Sequence, residues 1–155
     1  MGPVEQILEW WSRARGWYPV NINGTAFRCD PDHISFWSRV CKGRWEPETF
    51  GILEKLIKPG SVYCDIGAWI GPTVLPSAAR CSKVYCFEPD STAFMYLLRN
   101  VRLNRLENVL PFNLALSAGS GIGRMASPRG KRGDSMTSLL LPDNDNAIEV
   151  LCLTW

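Results

Sequence analysis

Residues 62–71 read V-Y-C-D-I-G-A-W-I-G, and this stretch decides the fold. Residues 62–66 form an apolar run broken by one acid, Asp65, with Pro59-Gly60 before it and Gly67 after it, the pattern of a buried strand. Gly67 and Gly71 frame a turn out of that strand. Glycine at 67 removes the Cβ, so a ligand can lie against the backbone. A short helix is expected over about 72–80, with Pro72 in its first turn and Pro76 kinking or shortening it. Its N-terminus offers N–H groups to a polar ligand.

Further elements follow outward from this stretch. Upstream, residues 47–58 make an amphipathic helix, with Phe50, Leu53, Leu56 and Ile57 on one face. Downstream, 83–87 is a second strand. A helix capped by Asp90 or Ser91 follows, burying Phe94, Leu97, Leu98 and Val101. A third strand spans 108–113, and 114–127 and 148–153 read as further strands joined by a polar loop. Strands alternating with helices predict an α/β fold with a parallel sheet and right-handed crossovers. Before this core, 4–15 reads as a helix with Ile7, Leu8 and Trp11 on a stripe, ended by Gly16. Asn23-Gly24 marks a hairpin turn. Five of the seven tryptophans precede residue 46, so this segment is expected to pack on the main domain or a partner. The division is therefore 1–45, a Trp-rich helix and hairpin extension, and 46–155, the main domain.

Composition bounds the possibilities. The chain has 155 residues, 46% of them hydrophobic, which suits one folded domain and excludes intrinsic disorder. No apolar run approaches the roughly 20 residues of a membrane span, and the N-terminus lacks an apolar signal segment. Seventeen basic residues against fifteen acidic, evenly spread, show no basic stripe, so no nucleic-acid partner and no membrane are expected. The one basic cluster, Arg124, Arg129, Lys131 and Arg132, reads as a solvated loop, with a phosphate-binding patch as the alternative. Six cysteines without a C-x-x-C pair, and a single histidine, argue against zinc. Free thiols and a cytoplasmic location are expected. His33 reads as a turn or surface residue rather than a catalyst.

The chemistry concentrates in four residues. Glu88 lies 21 residues after Gly67, at the end of the second strand, where an acid can take both hydroxyls of an adenosine ribose. Alone, Gly67 and Gly71 equally describe a tight turn, and Glu88 a capping acid before Pro89. With Asp65 at the strand end, whose burial is costly without a purpose, they describe an adenosine-cofactor site. The spacing D-x-G-x-x-x-G differs from the dinucleotide G-x-G-x-x-G, and the phosphate-loop G-K-[ST] is absent. A nicotinamide oxidoreductase would need glycine where Asp65 stands.

The D-I-G-A-W-I-G run, F-E-P at 87–89, L-L-R-N-V-R-L-N at 97–104, F-N-L-A-L-S at 112–117 and W-E-P-E-T-F at 45–50 resemble the FkbM-type S-adenosylmethionine-dependent methyltransferases, over roughly residues 44–155. The resemblance implies a class I (Rossmann-like) methyltransferase fold and methyl transfer to a hydroxyl oxygen of a small molecule or sugar. By position, it implies that Asp65, Gly67, Ala68 and Gly71 line the methionine end of S-adenosylmethionine. It also implies that Glu88 binds the ribose, and that Pro89 lies beside the adenine. Asn113 is placed near the adenine edge, although a strand-ending turn residue reads nearly as well. Glu46 or Glu48 is placed to reach the methionine amino group, although acids there also serve as helix caps. No residue stands out as the catalytic base. The resemblance further implies strands beyond residue 155, including an acidic one bordering the acceptor pocket. The domain is therefore expected to be partial, with an exposed sheet edge and completion by further chain, another chain or a second copy. The alternative function is a cofactor-binding fragment without turnover of its own.

Overall fold

The computed structural model describes residues 3–130, 132–141 and 144–155. Helix α1 (Pro3–Arg15) opens on a proline and ends at Gly16, whose φ of +81° only glycine adopts freely. Arg13 and Arg15 sit in its last turn, where the helix dipole favours cations. Of its expected apolar stripe Leu8 is half-buried, while Ile7 and Trp11 are exposed, as is Trp10.

Strands β1 (Tyr18–Ile22) and β2 (Thr25–Cys29) pair antiparallel about Asn23-Gly24. Both turn residues have positive φ, as the tight hairpin turn demands. A 3₁₀ turn (Pro31–His33) and helix α2 (Ile34–Cys41) follow. Asp30-Pro31-Asp32 does more than turn the chain. The Asp30 side chain accepts from the backbone N–H groups of Asp32 and His33, so that turn starts a helical stretch. Ile34, Phe36, Trp37 and Val40 then supply the buried face of α2.

Helix α3 (Pro47–Leu56) buries Phe50 and half-buries Leu53, while Leu56, expected on that face, is exposed. The central sheet contains β3 (Val62–Ile66), β4 (Lys83–Phe87) and β5 (Val109–Phe112), all parallel, in the order β3-β4-β5. Helix α4 (Val74–Ala78) is a short piece containing Pro76, shorter than the helix read over 72–80. Helix α5 (Ser91–Leu103) is capped by Asp90, whose side chain accepts from Thr92 and Ala93 N–H. Among the described residues β3 pairs on one side only, and Val62 and Ile66 are exposed on it.

Strands β6 (Ala115–Ser117), β7 (Gly121–Met125) and β8 (Ile148–Thr154) make a second, mixed sheet in the order β6-β8-β7. Its small core is Ala115, Met125, Val150 and Cys152. The main core lies between the central sheet and its helices, around Val74, Val84, Cys86 and Leu97. A third core joins the N-terminal segment to the rest: Trp37, Phe36, Phe27 and Phe50 pack against Ile70 and Leu75. The tryptophan-rich extension thus covers the segment that leaves β3. Such burial stabilises by about 25 cal/mol per Å² of apolar surface. All six cysteines are unpaired. No helix among the described residues is long and apolar enough to cross a membrane.

Candidate cofactor site at the ends of the central strands

Parallel register places Asp65 beside Cys86 and Ile66 beside Phe87, so β3 and β4 end together. The chain then turns sharply at Gly67, with φ +79°. Gly67 and Ala68 both donate their N–H to the Phe87 carbonyl, at 2.9 and 3.0 Å. These two amides are therefore committed to holding the loop against β4. What Gly67 offers a ligand is space: a Cβ built on it meets nothing within 4 Å. Gly71 differs. A Cβ there would stand 2.9 Å from Leu97 Cδ1, so this glycine lets the loop close onto α5.

Two carboxylates lie under the loop. Asp65 is 9% exposed and accepts a 2.5 Å hydrogen bond from the Thr73 hydroxyl. Burial raises its pKa, and the hydroxyls of Thr73 and Tyr63 oppose that rise. Glu88 is 6% exposed. Its Oε2 accepts Trp69 N–H and its Oε1 accepts Asp90 N–H, each at 2.8 Å. Burial pushes its pKa up to about 7, with the two amides pulling down and the Asp90 and Asp65 charges adding to the rise. Each Glu88 oxygen holds one N–H and keeps acceptor capacity for a second donor.

Above these groups is an open cleft of about 830 Å³ between the strand ends and the second sheet. Gly67, Phe87, Pro89, Leu114, Gly123 and Leu139 are among its walls. Its size falls in the range of cofactor pockets, roughly 300–1,000 Å³.

The expected site residues separate into three groups. Gly67 and Pro89 line the cleft, and Asp65 and Glu88 sit beside it as buried acceptors. Ala68 and Gly71 are buried, Ala68 in the main core. Asn113 and Glu46 are not among the cleft's walls. Asn113 donates its side-chain amide to the carbonyls of Glu88 and Pro89, at 2.8 and 3.1 Å, and so pins the β4–α5 turn. Glu46 is exposed, has a left-handed φ of 40°, and accepts from the Thr49 hydroxyl at the start of α3.

Trp69 escaped the sequence reading. It carries φ +48°, an uncommon conformation for a bulky residue. Its backbone N–H fixes Glu88, and its indole Nε1 donates to the Gly133 carbonyl at 2.8 Å. Its ring meets Phe36 edge-on at 4.6 Å and His33 at 5.9 Å. Gly133 N–H in turn reaches Asp90 Oδ2 at 2.6 Å. His33 is half-buried, with Nδ1 2.6 Å from Asp30 Oδ1 and its ring on Tyr96. In the basic cluster, Arg129 lies 3.8 Å from Asp134, and Lys131 falls outside the described residues.

A parallel sheet with a glycine turn after its first strand, an acid ending the second, and a cleft over both strand ends is a class I methyltransferase-like α/β domain. A family model described as the TRM5/TYW2 methyltransferase domain matches residues 19–116, and the chain belongs to that family. It is 41% identical over 96 residues to a tRNA (guanine(37)-N(1))-methyltransferase of Phytophthora infestans, covering 61% of this chain and 22% of the relative. It is 36% identical over 85 residues to the enzyme of that name from Batrachochytrium dendrobatidis, covering 53% of this chain and 18% of the relative. A solved M. jannaschii TYW2 in complex with AdoMet resembles it at 25% identity and TM-score 0.43, covering 63% of this chain and 42% of that one. The chain spans about a fifth of the length of the curated relatives it matches.

Two expectations are corrected. The family is TRM5/TYW2 rather than FkbM. The quoted motifs lie in strand ends and turns of the α/β fold, which by themselves do not separate one family from another. The matched span also takes in the hairpin and α2, which lay outside the resembling stretch. The small-molecule or sugar acceptor without nucleic acid also falls, because both curated relatives are named as acting on tRNA. Even charge spacing along the chain says nothing about where the fold gathers those charges. S-adenosylmethionine stands as the cofactor of this methyltransferase domain. The open space over Gly67 and the spare acceptor capacity of Glu88 fit its ribose.

Proposed function

We propose that this chain is the donor-binding part of a tRNA (guanine(37)-N(1))-methyltransferase. The observation that carries the reading is the buried Asp65–Glu88 pair under a side-chain-free turn, in a chain 41% identical to an enzyme of that name. Bound S-adenosylmethionine supplies an already activated methyl on a sulfonium. The residues here hold and orient. Gly67 admits the cofactor to the backbone, Glu88 takes the ribose hydroxyls, and Pro89 and Leu114 flank the adenine side of the cleft. Fixed placement supplies the near-attack geometry that displacement requires.

Calorimetric titration with S-adenosylmethionine, beside a Glu88→Ala control, tests the donor site. Saturable binding that weakens at least about tenfold in the control, the scale of a lost charge-assisted hydrogen bond, is expected. Transfer of labelled methyl to tRNA transcripts with guanine or adenine at position 37 tests the acceptor. A second reading, a cofactor-binding module without turnover of its own, is favoured by the small share of the relatives that the chain spans. It predicts cofactor binding with no transfer to either transcript.

A further inference from the structure

A groove of about 760 Å³ lies away from the cofactor cleft, between the hairpin and the end of α5. Trp17, Arg28, Asn21, Asn104 and Arg105 line it, and no carboxylate does. Two guanidiniums lie over the Trp17 indole, Arg15 at 3.7 Å and Arg28 at 4.8 Å from the ring centroid. Among the described residues none of Arg15, Arg28 and Arg105 is ion-paired, whereas Arg13 and Arg99 both reach Asp32. The groove is also firmly built. Asn104 accepts Arg28 N–H at 2.8 Å and donates to Arg28 O at 2.7 Å, clamping β2 to the end of α5. Arg105, next to it, has a left-handed φ of 52°. Arg15 Nε is spent on the Trp17 carbonyl at 3.1 Å, which holds the stack in place.

We propose that this groove binds a single-stranded segment of RNA, with phosphates on Arg28 and Arg105 and a base on the Arg15–Trp17–Arg28 stack. The proposal rests on the tRNA reading above and adds a second contact surface to it. Unpaired arginines beside an aromatic ring match what single strands offer, a charged backbone and a flat base face. An acidic peptide offers the charge without the stacking base.

Fluorescence anisotropy of the whole chain with a labelled tRNA transcript, from 50 to 200 mM salt, tests it. Arg28→Ala combined with Arg105→Ala is expected to reduce the log–log salt slope by about 2, one per phosphate contact. Trp17→Leu is expected to weaken binding about fivefold or more, from lost stacking. Cofactor binding by the variants, measured by calorimetry, is expected to stay at the parent value and reports that they fold. Equal RNA affinity and slope in parent and variants overturns the groove and leaves the tRNA reading standing. Cofactor binding without any RNA binding by the parent overturns the tRNA reading and the groove with it. Polyglutamate competing as well as RNA also overturns the groove as an RNA site.

Discussion

Trp69 donates its backbone N–H to Glu88 Oε2 at 2.8 Å, while its indole meets Phe36 of the N-terminal segment. One residue thus ties the acid that ends β4 to the tryptophan-rich extension. The turn that holds the candidate ribose acceptor rests on a layer contributed by residues far earlier in the chain.

The first consequence is a pH dependence. Glu88 has a folded pKa of about 7, above its ordinary 4.5. Between these values the folded state binds more protons than the unfolded state. Its protonated form therefore contributes stability that is full below about pH 4.5 and is lost as pH rises through about 7, on the order of 3 kcal/mol. Melting temperature is expected to fall from pH 5 to pH 8, and Glu88→Gln to flatten that fall. Cofactor affinity should move oppositely, strengthening as pH rises through about 7, because ribose hydroxyls donate best to the ionised acid. Thermal melts and titrations at matched pH values check both signs.

Gly67 and Gly71 should separate binding from folding. Gly71→Ala adds a Cβ 2.9 Å from the fully buried Leu97, at φ +95°, and is expected to cost roughly 2–4 kcal/mol of stability. Gly67→Ala meets open space and bears only the positive-φ strain of about 1–2 kcal/mol. Its methyl projects where the cofactor is placed, so the loss should show in affinity. Denaturant melts beside cofactor titrations give the comparison.

Asp30 is completely buried and accepts from His33 Nδ1, Trp37 Nε1 and Asn100 Nδ2, at 2.6, 3.2 and 3.2 Å. Burial alone would raise its pKa, but these donors together hold it below its ordinary value. Its contribution is present above about pH 4 and lost as pH falls through the lowered value. Asp30→Ala removes the acceptor of five donors, the buried Trp37 Nε1 and Asn100 Nδ2 among them, and is expected to destabilise by about 3–5 kcal/mol. Asn100 also donates to the Ile70 carbonyl, so cofactor affinity should fall as well. Urea unfolding measures the first effect and calorimetry the second.

Trp69→Phe keeps the ring but removes the indole donor to Gly133. A loss of about 1 kcal/mol is expected. Proteolysis should become faster near residues 132–135, around the Gly133 that this bond and the Asp90–Gly133 bond secure. Unchanged cleavage rates would show that the segment is held by other contacts.

Sequence patterning by itself determined the strand–glycine–helix unit from 62 to 78, though not the helix's exact length, the second strand leading into Glu88, the cap at Asp90 and the Asn23-Gly24 hairpin. Each rests on local physics: a φ that only glycine tolerates, a side chain reaching a near amide, an apolar run bounded by breakers. It also determined the class of chemistry, because two costly acids at strand ends fit an adenosine cofactor. It placed the acceptor and the family wrongly, since the motifs that stood out belong to strand ends and turns of the fold, which fix neither.

Only the tertiary structure decided which partners those residues meet. Asn113 is spent on the carbonyls of Glu88 and Pro89, 25 and 24 positions away. Trp69 became the link between extension and site through contacts spanning dozens of residues, and Arg28 met Asn104 across 76 positions. Such pairings leave no period or spacing in the chain. They arise when separate apolar faces bury against one another and carry their polar groups along with them.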